Sequence, residues 1–180
     1  MDVKDMSRDA LLECAQLPMP HPGARVTLPE PGATWHYGVD TPFGPVYLAT
    51  TQKCTFATGL GVPTAVVQAA DRIGIPMLKR GVPATVNGDN ALIVRPRFGL
   101  RIASRRILVD SSQHAWEAIS GSMRKFCIVR RRDGSAILCQ QRQGKLLDAA
   151  ATQSEVSLTL AIAASGIVQS SSLLYYLSLP

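Results

Sequence analysis

Apolar residues along this chain fall into two textures. From residue 35 to about residue 147 they come in short runs rich in β-branched and aromatic side chains, separated by turn residues, which is how strands read. From residue 156 to the end no charged side chain occurs. Ahead of that stretch, Thr152-Gln153-Ser154-Glu155 has the spacing of a capping box: the Thr152 hydroxyl accepts from the Glu155 amide and the Glu155 carboxylate accepts from the Thr152 amide. Val156, Leu158, Leu160, Ile162, Ala163 and Ala164 then occupy nearly every side of a helical wheel, and Ser165-Gly166 supplies a stop. The pattern predicts a helix over 153–165 that is apolar all round, suited to the middle of a core or to a membrane. Its first apolar run is about 11 residues where a span needs about 20, and Gln169-Ser170-Ser171-Ser172 interrupts it. A buried helix is therefore expected, with no transmembrane span. The tail over 167–180 is expected as a short helix or docked segment, a contact for a partner or a second copy.

Strands are expected at 35–39 and 46–51, joined by the turn residues of 40–45, and again at 54–57, 75–78 and 82–86. Asn87-Gly88-Asp89-Asn90 makes a hairpin with 91–95. Further strands are expected at 100–103, 106–109, 116–119 and 145–147. The strongest local pattern joins 124–131 to 136–142 through Asp133-Gly134, read as a two-residue type I′ turn. That reading pairs Arg132 with Ser135, Val129 with Leu138, Ile128 with Cys139 and Cys127 with Gln140. Cys127 and Cys139 then face opposite sides of the sheet and form no disulfide. Helices are expected at 7–17, capped by Ser7 with a Leu11, Leu12, Ala15 stripe, and at 64–72 behind Pro63. Five prolines between residues 18 and 32 predict an extended wrap.

These expectations sum to a mostly β (α+β) fold: an antiparallel barrel or sandwich of about ten short strands around a buried hydrophobic C-terminal helix. Residues 1–34 form an N-terminal helix and Pro-rich wrap, and 35–180 a single β-rich domain. The basic strand 124–131, Asp133-Gly134, the strand 136–142 and the helix at 156–164 together give a layout that resembles the tubby C-terminal-like barrels, among them the LURP-one-related proteins and the phospholipid scramblases. The resemblance covers roughly residues 91–168 and implies a β-barrel enclosing a hydrophobic helix near the C-terminus. It carries no site residue across.

Charge adds a partner class. The net charge is +6, yet residues 91–145 hold twelve Arg or Lys against only Asp110, Glu117 and Asp133. Arg95, Arg97, Arg101, Arg105 and Arg106 form one group, and Arg130, Arg131 and Arg132 a second. Arginine forks suit phosphate, so anionic lipid headgroups, a nucleic-acid backbone or an acidic protein surface are the expected partners. Phe98, Trp116 and Phe126 are too dispersed for base stacking. The chemistry of catalysis is thinner. His36, Cys54 and the Gly59-Leu60-Gly61 loop, with Asp40 nearby, could line a small-molecule pocket, the alternative enzymatic reading; Cys54 lacks a helix N-terminus to activate it. A subunit role in a larger assembly is a further alternative. Four scattered cysteines and three histidines offer no close ligand pairs, so no metal or cofactor is expected. Residues 1–5 lack an apolar leader, and cytoplasmic residence, peripheral to a membrane if lipid is the partner, is the expectation.

Overall fold

The computed structural model describes residues 11–18, 20, 25–68, 75–96, 106–112, 115–119, 125–141 and 144–170, with backbone alone for 75–77, 125–128, 141 and 169–170. Half of the described residues are strand. Thirteen strands form one antiparallel sheet: β1 (Leu11–Cys14), β2 (Gln16–Leu17), β3 (Thr34–Val39), β4 (Val46–Thr50), β5 (Thr55–Gly59), β6 (Ala65–Val67), β7 (Val82–Val86), β8 (Asp89–Val94), β9 (Arg106–Ser111), β10 (Ala115–Ile119), β11 (Lys125–Arg131), β12 (Ala136–Gln141) and β13 (Gly144–Asp148). From β2 through β13 each strand pairs with its successor, and β1 lies beside β13.

That order nearly closes the sheet. β1 and β2 are separated only by Ala15, yet Cys14 pairs with Lys145 of β13 and Gln16 with Val39 of β3. The Asp40 amide donates to the Ala15 carbonyl across the same seam. Residues 11–17 are thus strand where the local pattern predicts a helix. An isolated helix of that length is marginal in water, whereas the strands here cover two sheet edges whose backbone groups would otherwise lack partners.

Two further segments differ from expectation, the first for the same reason and the second in the opposite sense. The 64–72 region contributes β6, which pairs with β5 and β7 and buries Ala65 and Val67 completely. The 75–78 region is α1 (Ile75–Arg80), whose last turn carries Lys79 and Arg80 at the negative end of the helix. β6, β1 and β2 add strands where none is expected, and the total is above ten. The segment 100–103 lies outside the described residues.

At the Asp133-Gly134 hairpin the expected register holds: Val129 faces Leu138, Ile128 faces Cys139 and Cys127 faces Gln140. The turn itself is different. Gly134 donates to the Arg131 carbonyl, and Arg131, in place of the expected Arg132, closes a three-residue loop with Ser135, with a register shift at Arg130. A type I′ turn needs positive φ at both central residues. Asn87 (φ 50°) and Gly88 (φ 80°) meet that demand in the β7–β8 hairpin, whereas here Gly134 alone does, at φ 93°.

Inside the barrel runs α2 (Gln153–Ala164), with both halves of its capping box formed. Every residue from Glu155 to Ala163 is buried. Leu158, Leu160 and Ile162 share one core with Leu48, Ile93, Ile107, Val129, Leu138 and Leu147 from around the wall. Two hydroxyls in this apolar setting are satisfied by the helix itself: Ser157 donates to the Ser154 carbonyl and Thr159 to that of Glu155. Ser165 and Gly166 (φ 72°) end α2, and a one-turn helix, α3 (Ile167–Ser170), follows and buries Ile167 and Val168. The tail beyond residue 170 lies outside the described residues. Among the described residues no helix is long and apolar enough to cross a membrane. Replacing Leu160 by Ala should lower stability by about 2–5 kcal/mol in urea denaturation, while the same change at exposed Leu60 should stay within about 0.5 kcal/mol.

Candidate functional site

The barrel has two rims, one where α2 enters and one where it leaves. Strand direction assigns the arginines to them. β8 runs away from the α2-entry rim, so Arg95 lies at the far end; continuing the inward alternation of Ala91 and Ile93, it is buried, and its amide donates to the Leu78 carbonyl. Arg106 begins β9 near that same end. Arg131 and Arg132 lie at the entry rim, where β11 turns into β12. Arg97, Arg101 and Arg105 lie outside the described residues.

The two expected arginine groups meet at one point. Inward positions on the shared wall are Ile107, Val109, Trp116, Ala118 and Val129, all at most 2% exposed. Their neighbours Arg106, Glu117 and Arg130 therefore face outward. Glu117 lies directly opposite Arg130 in the register, and the two guanidinium groups share its carboxylate. Arg106 Nη1 lies 3.4 Å from Oε1, and Arg130 donates to Oε2 from Nη2 at 3.1 Å and from Nε at 3.3 Å. Two cations against one anion leave a net positive spot.

Arg131 has a different task. It faces inward opposite Trp116 and reaches the first turn of α2, donating to both oxygens of Glu155 at 2.8 Å and to Asp148 at 2.7 Å. Glu155 is 3% exposed, and its Oε2 also accepts from the Thr152 amide at 2.8 Å. The Glu155 hydrogen bonds push the Arg131 pKa above its ordinary value, against the burial that opposes them. This arginine holds the helix in the barrel and is committed internally. Arg132 pairs with Asp110 at 2.8 Å, with both side chains more than half exposed. Such a pair contributes little.

Trp116 is buried and so offers no stacking platform. His36 is exposed and hydrogen-bonds Thr50. Cys54 lies in the loop before β5, two strands from β3, and packs with Trp35 on an outer cluster that includes Ala33 and Phe56. Burial, then the nearby Glu30 carboxylate, push its thiol pKa upward. The Gly59–Gly61 loop lies at the other end of β5, about 13 Å along the strand. Its glycines answer to packing: a Cβ on Gly61 would come within 1.9 Å of the Phe43 carbonyl oxygen, and one on Gly59 within 2.5 Å of that of Pro45. A cleft of about 350 Å³ does open beside this loop, lined by Leu60, Val62, Asn87, Gln153 and Ser154 among others. His36 and Cys54 are not part of it, so the expected pocket is divided between the two rims. Among the described residues no group of histidine, cysteine and carboxylate side chains could hold a metal ion.

Neither a family model nor any curated protein or solved structure matches the chain.

Removing the Arg131 charge, as in Arg131→Met, leaves Glu155 buried without its cation. A loss of about 3 kcal/mol in urea denaturation is expected, against at most about 1 kcal/mol for Arg132→Gln. Because its raised pKa keeps Cys54 protonated at neutral pH, that thiol should react with a maleimide more slowly than free cysteine.

Proposed function

We propose that this chain is a non-enzymatic binding domain whose working surface is the outer wall of β9, β10 and β11, and whose partner presents phosphate, with an anionic membrane surface as the leading case. The observation that carries the reading is the placement of Arg106 and Arg130 on that wall, sharing one carboxylate. The twelve cations of residues 91–145 surround this point in the sequence. Meanwhile α2 fills the barrel, which directs binding to the outside. Burial of Trp116 favours recognition by charge over base stacking. The layout-level resemblance of the sequence to tubby C-terminal-like barrels is in keeping with a peripheral site of action.

The double variant Arg106→Gln, Arg130→Gln tests this in vesicle co-sedimentation. At about 1 kcal/mol per basic residue near an anionic surface, binding should weaken about thirtyfold. Binding by the wild type should also fall with added salt. Unchanged partition of the double variant refutes the reading, and binding to duplex DNA but not to vesicles would move the partner to a nucleic-acid backbone.

A further inference from the structure

We propose that Glu117 is a built-in competitor for the ligand of this surface, occupying the place of an incoming phosphate and making the site selective for phosphomonoesters. The inference rests on the reading of β9–β11 as an anion-binding wall. Its own support is the contrast among the arginine pairs.

Arg131 is held by three contacts of 2.7–2.8 Å to two carboxylates, one of them almost fully buried. The Glu117 contacts are longer, at 3.1–3.4 Å; the Arg106 side chain is 45% exposed, and those of Arg130 and Glu117 are 19% and 20% exposed. The half-exposed Arg106–Glu117 pair contributes at most about 1 kcal/mol, so an external anion can displace the carboxylate from Arg106 at small cost. Arg106 and Arg130 reach Glu117 from opposite neighbouring strands. Swinging Glu117 aside would leave two guanidinium forks flanking one gap on the wall.

The competitor also sets which anion succeeds. A monoanion such as a carboxylate or phosphodiester only replaces like with like, a single negative charge against the one already tethered. A phosphomonoester brings up to two charges at neutral pH and three terminal oxygens. It can accept from both forks at once, where Glu117 offers one oxygen to each. Neutralising Glu117 should therefore strengthen binding and blunt the preference.

The test compares wild type, Glu117→Gln and the Arg106→Gln, Arg130→Gln double variant. Each is bound to vesicles carrying phosphatidic acid, a phosphomonoester, or phosphatidylglycerol, a phosphodiester, at matched charge density. Far-UV circular dichroism checks that each variant is folded. Glu117→Gln should bind both vesicle types up to about fivefold tighter than wild type, with the larger gain on phosphatidylglycerol. A Glu117→Gln protein that is folded but binds no tighter, while the arginine double variant still loses binding, overturns the competitor and leaves the anion-binding wall standing. If all three bind alike, both are overturned. Inorganic phosphate titrated without vesicles separates the sources of the ligand. The same ranking of variants there assigns the site to free phosphate, and a ranking present only on vesicles assigns it to a lipid headgroup.

Discussion

A carboxylate buried at the mouth of a barrel is costly unless it is paired and hydrogen-bonded, and Glu155 is such a group. Its two oxygens accept from Arg131 and from the Thr152 amide, so one side chain caps α2 and ties it to the rim of β11. Asp148, at the end of β13, binds the same arginine. Three elements, β11, β13 and α2, are thereby fixed where the central helix enters. Below this clamp, α2 is apolar on all sides and meets inward residues from around the wall. The helix needs the barrel to bury it, and the barrel needs the helix to fill it.

This arrangement divides the positive charge by role. Arg95 is buried beyond the far end of β8, and Arg131 is committed to the clamp. Arg106 and Arg130 keep looser partners on the outer wall. A run of adjacent arginines along one strand, such as Arg130, Arg131 and Arg132, thus splits between inside and outside because successive strand residues face opposite ways. Among the described arginines of the two groups, only Arg106 and Arg130 are brought to one carboxylate on the outer wall.

Much of the core was legible because it depends on near neighbours. The Thr152–Glu155 box is a contact across three residues and formed as expected. The pairing of Val129 with Leu138 followed from the hairpin, even though a bulge at Arg130 and a three-residue loop replaced the expected turn. Asn87-Gly88 read correctly for the same local reason. At the site, Arg106 and Arg130 were legible as candidates, but their shared Glu117 was not. It lies 11 and 13 residues away from them, and it reads as an isolated acid until β10 is placed between β9 and β11.

The sequence by itself determined the β-rich class, the capped and wholly apolar helix, the main hairpin registers and the concentration of positive charge. Each of these is set by residues close in the chain or by composition. Only the tertiary structure decided that residues 11–17 and 65–67 are strands, since there sheet edges separated in sequence supply backbone partners that outweigh a weak helical preference. It alone decided that Arg131 faces inward to Glu155, 24 residues away, while Arg130 faces outward to Glu117. Closing a sheet chooses which side of the wall each side chain occupies, and no local pattern contains that closure.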